Sequence, residues 1–276
     1  MDKLFLLDAY ALIYRAYYAF IKNPRINSKG MNTSAVMGFV NTLNGIRTKE
    51  QPPHIGVAFD HGKTFRDEAC PAYKAQREAT PEDIRASVPI IKDIITAMHI
   101  PVLQVDGFEA DDVIGTLATK AGEAGVQTYM LTPDKDYGQL VRDNVFIFRP
   151  RHGGGYETMG PKEVCEKYEL HSPIQVIDLL ALMGDSADNF PGCPGVGPKT
   201  ATKLISEFGS IDSILENSAK IKGKLREKVE GAVDDIRMPS GLATIRTAVP
   251  IDLDLDAFKH QEPDTALHAE IFTDLK

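Results

Sequence analysis

Apolar runs that each give out into a carboxylate constrain this 276-residue chain more than any other feature. KLFLL ends at Asp8, IGVAF at Asp60, and the run at 127–131 leads into Thr132–Pro133–Asp134–Lys135–Asp136. Further strand candidates lie at 102–105 and 145–148, and helical patterns fill the intervals at 9–21, 34–47, 82–98 and 109–124. Such alternation predicts an α/β fold on a mainly parallel central sheet flanked by helices, because parallel strands need crossover connections. Sites in these sheets form beyond the carboxyl ends of the strands. Carboxylates far apart in sequence are therefore expected to converge on one edge.

Nine carboxylates fall in this pattern: Asp8, Asp60, Glu109, Asp111 and Asp112 in FEADD, Asp134 and Asp136, and Asp185 and Asp188 in GDSADN. Gathered together they would repel and raise one another's pKa values unless cations neutralised them. Oxygen-only ligation suits magnesium or manganese, and the lack of histidine and cysteine in the clusters argues against zinc. A single aspartate after a strand is more often a helix cap. The combination instead predicts a multi-metal phosphodiesterase site. In TPDKD an extended segment would send Asp134 and Asp136 to one side and Lys135 away from it. Asp185 and Asp188, three apart at a helix end, would share a side. Glu109, Asp111 and Asp112 would occupy a helix's first turn, where the dipole favours negative charge.

Apolar residues make up 43% and charged residues 25% of the chain, which excludes disordered and collagenous classes. Cys70, Cys165 and Cys193 form no paired motif, so a reduced, cytoplasmic setting is expected, with packing roles for all three. Asp8 and Arg15 interrupt the N-terminal apolar run, so it reads as neither a signal peptide nor a membrane span. The net charge of −8 at first opposes nucleic-acid binding. However, the nine clustered carboxylates exceed that total, and residues 248–276 hold seven acidic and two basic side chains. The remaining body is net basic and attractive to a polyanion.

After the glycine-rich turn Arg151–Gly155 the pattern becomes helical, with helices predicted at 161–168, 173–183, 198–207, 211–216, 222–230 and 231–246. Within it, GCPGVGPKTATKLI at 192–205 sets Gly195 and Gly197 before a helix that begins at Pro198, with Lys199 and Lys203 one turn apart. Glycine amides at a helix start can approach an anion closely, which makes a backbone-phosphate clamp that reads no bases. A plain helical hairpin is the alternative, and a Walker-type nucleotide loop is not matched. The stretch FRDEACPAYKAQREATPED at 65–83 puts Lys74 and Arg77 on one helix face near Arg66 and Tyr73. It reads either as a solvated charged face or as cations able to swing over a phosphate. Tyr10, Tyr14, Tyr17 and Tyr18 are core residues of the first helix or supply a stacking ring near Asp8. IDLDL at 251–255 looks strand-like, and the stop in DLK without a helix-ending signal suggests a truncated domain.

In order, LLDAYALIYRAYYAF, FRDEACPAYKAQREATPEDI, GFEADDVIGTLA, TPDKDYGQLV and GDSADNFPGCPGVGPKTATKLI are distributed from Leu6 to Ile205. Together they resemble the N-terminal 5′ nuclease, or 5′-3′ exonuclease, domains of bacterial DNA polymerases I, within the flap endonuclease superfamily. The resemblance implies a PIN-like α/β nuclease core at 1–160 with a helical arch at about 61–100. It also implies a helical duplex-binding region at 161–250 with a helix-hairpin-helix type motif at 184–207, and an acidic segment at 251–276 cut before a linker to a polymerase domain in cis. Two divalent cations, Mg²⁺ or Mn²⁺, are implied. Asp8, Asp60, Glu109 and Asp111 would hold the first, and Asp111, Asp134, Asp136, Asp185 and Asp188 would surround the second, with Asp112 in the same cluster. Lys74 and Arg77 match the arch cations, and Tyr14 matches a ring at the nucleotide by the cut. Arg66, Tyr73, Gly195, Val196, Gly197, Lys199, Thr200 and Lys203 become DNA contacts, with K⁺ supporting the hairpin amides.

The implied activity is cleavage of 5′ flaps and 5′ ends of branched or nicked duplex DNA, and of RNA primers on DNA, during replication and repair. The implied setting is a monomer in the bacterial cytoplasm at the nucleoid. Ala187, Cys193, Pro198 and Tyr137 depart from the family's usual residues, but none removes a carboxylate. A non-catalytic DNA-binding module and a phosphatase of small phosphoesters are the rival readings. The full carboxylate set opposes the first and the hairpin opposes the second.

Overall fold

The structure, a computed structural model, describes residues 2–151 and 153–275. Its centre is a sheet of β1 (Lys3–Asp8), β2 (His54–Ala58), β3 (Val102–Leu103), β4 (Gln127–Leu131), β5 (Val145–Pro150) and β6 (Tyr156–Met159). The order across the sheet is β3-β2-β1-β4-β5-β6. All neighbours run parallel except β5 and β6. The chain builds outward from β1 to β2 and β3, then crosses over to β4. The crevice between the ends of β1 and β4 is thus a topological switch point, where open α/β sheets take their ligands.

Side chains alternate across each strand. Phe5 and Leu7 face a core shared with α1 (Ala9–Ala19), α2 (Ser34–Lys49) and, beyond the short α3 (Phe65–Ala69), α4 (Glu82–Ala97). Leu4 and Leu6 face the opposite core, with Val113, Ile114 and Leu117 of α5 (Ala110–Glu123). Burial on both faces explains why the strands read as unbroken apolar runs. The second core continues into α6 (Pro161–Tyr168), α7 (Val176–Met183), α8 (Pro198–Phe208), α9 (Ile211–Glu216), α10 (Lys224–Gly231) and α11 (Val233–Ala243). α12 (Thr265–Asp274) packs against α4. Among the described residues, no helix is long and apolar enough to cross a membrane.

Three expectations need correction. First, the segment at 61–100 does not form one arch, because α4 buries Ile84, Ile91, Ile94 and Ile95 completely in the core. Only 61–81 remains to overhang the strand ends. Second, the glycine-rich turn does not end the sheet. Gly153, Gly154 and Gly155 take φ values of +90°, +105° and +76°, and β6 returns antiparallel beside β5. Third, IDLDL is not a strand. The chain there runs over the surface of the core, resting Ile251, Leu253 and Leu255 on it, until Phe258, 3% exposed, reaches β2. Its carbonyl accepts from the Ile55 amide at 2.9 Å. A Cβ on Gly56 would stand 2.7 Å from the Phe258 ring, so the glycine makes room for that docking. The place beside this half of β2 is free because β3 is only two residues long.

Candidate active site

Each strand near the switch point delivers a carboxylate. Asp8 closes β1 and caps α1, with Oδ1 accepting from the Ala11 amide at 3.1 Å. Its Oδ2 accepts from Tyr137 Oη at 3.1 Å and Thr132 Oγ1 at 3.2 Å. Asp60, just past β2, accepts from the Ala110 amide at 2.7 Å and so ties β2 to the start of α5. Glu109 is the N-cap of α5, and Asp111 lies in its first turn. With Asp134 these residues line one cleft of about 900 Å³, whose wall includes Tyr10, Tyr14 and Tyr18 of α1. Tyr14 donates to Thr80 Oγ1 at 3.2 Å across the mouth.

The short overhang brings cations to the same place. Lys74 Nζ meets both oxygens of Glu109, at 2.8 and 2.9 Å. Its backbone is left-handed, with φ +53°, a conformation that costs free energy in a non-glycine residue. The Lys74 amide donates to the Asp188 carbonyl at 3.1 Å, and Arg77 Nη2 to Asp188 Oδ1 at 2.9 Å. The overhang is therefore latched onto the Asp185–Asp188 loop, whose ends Gly184 and Gly192 are pressed together. A Cβ on Gly192 would lie 2.2 Å from the Gly184 nitrogen, and the two glycines take φ +62° and +73°.

Several candidates occupy other roles than the sequence suggested. Asp112 is fully buried, and both its oxygens are used. Oδ1 accepts from Arg66 Nη2 at 2.9 Å and the Arg246 amide at 2.7 Å, and Oδ2 from Arg66 Nη1 at 2.6 Å and the Glu109 amide at 3.1 Å. It has no lone pair free for an ion. Arg66, 1% exposed, spends its Nε on the Leu242 carbonyl at 2.8 Å, so it is closed to DNA. Tyr73 is also buried, stacked on Phe190 and donating to Glu109 Oε2 at 3.0 Å. It positions a carboxylate rather than facing solvent.

Lys135 does not point away. It is αR, leading into a 3₁₀ turn at Asp136–Leu140, so the alternation of an extended segment does not apply. Its ammonium joins Asp185 Oδ2 to Asp136 Oδ1, the latter at 3.5 Å. In the hairpin, Val196 is buried, whereas Gly195, Gly197, Lys199 and Lys203 are exposed and Thr200 half-buried. Gly197 caps α8, and its carbonyl accepts from the Thr200 and Ala201 amides at 3.0 and 2.9 Å.

Tyr137 and Thr132, which hold Asp8, were missed. A hydroxyl next to a carboxylate motif was the available signal.

The electrostatics are those of crowded anions. Burial, then Asp60 and Asp134, push Asp8 up to about 7 against the pull of the Ala11 and Tyr137 bonds. Burial and Asp134 push Asp136 up to about 7, with Lys135 opposing. Asp111 is raised well above the usual range, chiefly by burial, despite Arg66. Asp188 is raised by burial against Lys74 and Arg77. Asp60 is open to the cleft on its surface, yet the protein around it raises its pKa by desolvation.

Among the described residues no three His, Cys, Asp or Glu side chains already surround one point at ligand spacing. Asp111 Oδ1 and Asp136 Oδ1 are nevertheless buried and accept no hydrogen bond, with only ion pairs at 3.9 Å to Arg66 and 3.5 Å to Lys135. Bare buried carboxylate oxygens are costly. Mg²⁺ keeps several waters and needs one or two direct carboxylates. This donor set therefore fits hydrated divalent ions.

Residues 3–169 match the family model described as 5′-3′ exonuclease, N-terminal resolvase-like domain, and residues 171–266 match 5′-3′ exonuclease, C-terminal SAM fold. The chain is 39% identical to DNA polymerase I of Bacillus caldotenax and 40% to that of Bacillus subtilis. In both cases 99% of this chain aligns with 31% of the relative, so it spans about a third of their length. A structure of T5 5′-exonuclease with zinc bound shares the fold at TM-score 0.74 and 22% identity, covering 99% of this chain and 98% of that one. The catalytic core of Rad2, in complex with a DNA substrate, does so at TM-score 0.63 and 17% identity, covering 99% and 87%. Matched in both its halves, and carrying its carboxylates at the strand ends of a mainly parallel sheet, the chain belongs to the 5′-3′ exonuclease family.

Proposed function

We propose that this chain is a metal-dependent, structure-specific 5′ nuclease. Its substrates are 5′ flaps and 5′ ends of branched or nicked duplex DNA, and RNA primers paired to DNA. The observation that carries this reading is the cleft where Asp8, Asp60, Glu109, Asp111 and Asp134 face Lys74 and Arg77. Asp8, Asp60, Glu109 and Asp111 would hold one ion, and Asp111, Asp134, Asp136, Asp185 and Asp188 would surround a second; the ions are Mg²⁺ or Mn²⁺. Bound divalent ions supply activation of water and neutralisation of charge on the phosphate.

The protein's own part is positioning. Thr132 and Tyr137 fix Asp8, Tyr73 fixes Glu109, and the latched overhang sets Lys74 and Arg77 where charge develops on the scissile phosphate. Tyr14 offers a ring to the nucleotide by the cut. The amides around Gly195 and Gly197, with Lys199, Thr200 and Lys203, would hold duplex phosphates without reading bases, and K⁺ would support them. A polymerase domain in cis, action as a monomer and work at the nucleoid in replication and repair complete the proposal. The relatives' identity as DNA polymerases I supports the first of these.

The discriminating test sets a 5′-flap DNA against p-nitrophenyl phosphate, both with Mg²⁺. Turnover of the flap and not of the small ester is expected. The reverse would make the chain a small-phosphoester phosphatase, and tight flap binding without cleavage would make it a DNA-binding module.

A further inference from the structure

The metal reading leaves one cation of the cluster without a task. Lys135 stands between the two aspartates of TPDKD, and its ammonium, though partly open to solvent, is turned into the cluster. Its ammonium ion-pairs with Asp185 Oδ2 and lies 3.5 Å from Asp136 Oδ1, the buried oxygen that accepts no hydrogen bond. These are the atoms an ion beside Asp136 and Asp185 would need. An ammonium against a carboxylate oxygen fills the space in which a divalent ion would coordinate, and two cations so close repel.

Lys135 also has somewhere to go. Its side chain is 41% exposed, and it lines a second, largely apolar cavity of about 260 Å³ with Tyr168, Leu179, Met183 and Lys199. An aliphatic stem can lie along such a wall while its head stays in water.

We infer that Lys135 is the resident counter-ion of the Asp136–Asp185 subsite, displaced by the divalent ion that enters there, and that it thereby sets the metal concentration at which this subsite fills. In the metal-free protein it holds the Asp134–Asp136 turn against the Asp185–Asp188 loop and offsets their mutual repulsion. The inference rests on the proposal that the carboxylates bind divalent ions.

The test is a Mn²⁺ titration of the whole chain, following the free-ion signal by electron paramagnetic resonance, alongside calorimetric Tm in EDTA. Lys135→Met keeps the stem and removes the charge. It is expected to tighten the weaker Mn²⁺ site about tenfold, the equivalent of one charge-assisted pair, and to lower the metal-free Tm. Lys135→Arg restores the bridge and should return both towards wild type. Lys167→Met removes a charge that lines the same cavity without bridging the aspartates; its Mn²⁺ affinity should match wild type. Unchanged or weaker binding by Lys135→Met, or an equal gain in Lys167→Met, overturns the role of Lys135 and leaves the metal reading standing. No saturable Mn²⁺ binding by wild type overturns both.

Discussion

Asp111 and Asp112 are neighbours in sequence with opposite predicted fates. Asp112→Ala leaves Arg66 buried without its partner and should cost about 3–5 kcal/mol in denaturant unfolding, as breaking a buried ion pair does. Asp111→Asn removes a carboxylate that accepts no hydrogen bond at Oδ1. It should leave metal-free stability equal or higher and weaken Mn²⁺ binding instead. The raised carboxyls also fix a pH dependence. Asp8 and Asp136 titrate near 7 in the folded chain, against a reference of 3.8. Between those values the folded state binds more protons than the unfolded one, so their contribution to stability is fully present below about 4 and is lost as pH rises through 7. Calorimetry in EDTA should therefore show Tm falling from pH 5 to pH 8. Mg²⁺, which binds the deprotonated site, should shrink that fall. The carboxylate types and positions were legible in the sequence because strand ends mark them. Their partners were not. Nothing local in FEADD says which aspartate meets a guanidinium from 65–83, and TPDKD hides a 3₁₀ turn that reverses the direction of Lys135.

At the level of elements, the overhang at 61–81 depends on its latch to the Asp185–Asp188 loop, and Lys74 is the cation it brings nearest Glu109. Lys74→Ala should lower single-turnover cleavage by on the order of 100-fold, the scale of losing one preorganised electrostatic contact. Duplex affinity measured without cleavage should hardly move. Equal losses in both would make Lys74 a binding residue. Helices with strong apolar periodicity were readable within a few residues of their ends. The misreadings share one cause, which is that tertiary docking decided them. α4 looks like any amphipathic helix until its isoleucines are seen under the sheet. β6 is short and preceded by three glycines. IDLDL alternates as a strand does, but the free edge of β2 takes Phe258 instead.

Across the whole molecule, the carboxylate edge and the hairpin lie on one continuous run of chain, since the Asp185–Asp188 loop leads through Gly192 and Val196 into α8. A substrate held at α8 would be presented to the cleft without any base being read. The double variant Lys199→Ala/Lys203→Ala should weaken duplex binding and reduce the slope of log affinity against log salt by about 2, near 0.9 for each phosphate contact. Its cleavage rate at saturating enzyme should be retained. The parallel sheet and its active edge follow from the order of runs and helices in the sequence. The shape of the overhang and the docking of 250–264 do not, because both depend on contacts between distant segments. That the carboxylate cleft cuts DNA with divalent metal is tested most directly by single-turnover cleavage of a 5′-labelled double-flap DNA with Mg²⁺, with EDTA, and with Asp111→Asn. Cutting at the flap junction by the wild type with Mg²⁺ alone is the predicted result. Cutting that persists in EDTA, or in Asp111→Asn at the wild-type rate, would contradict it.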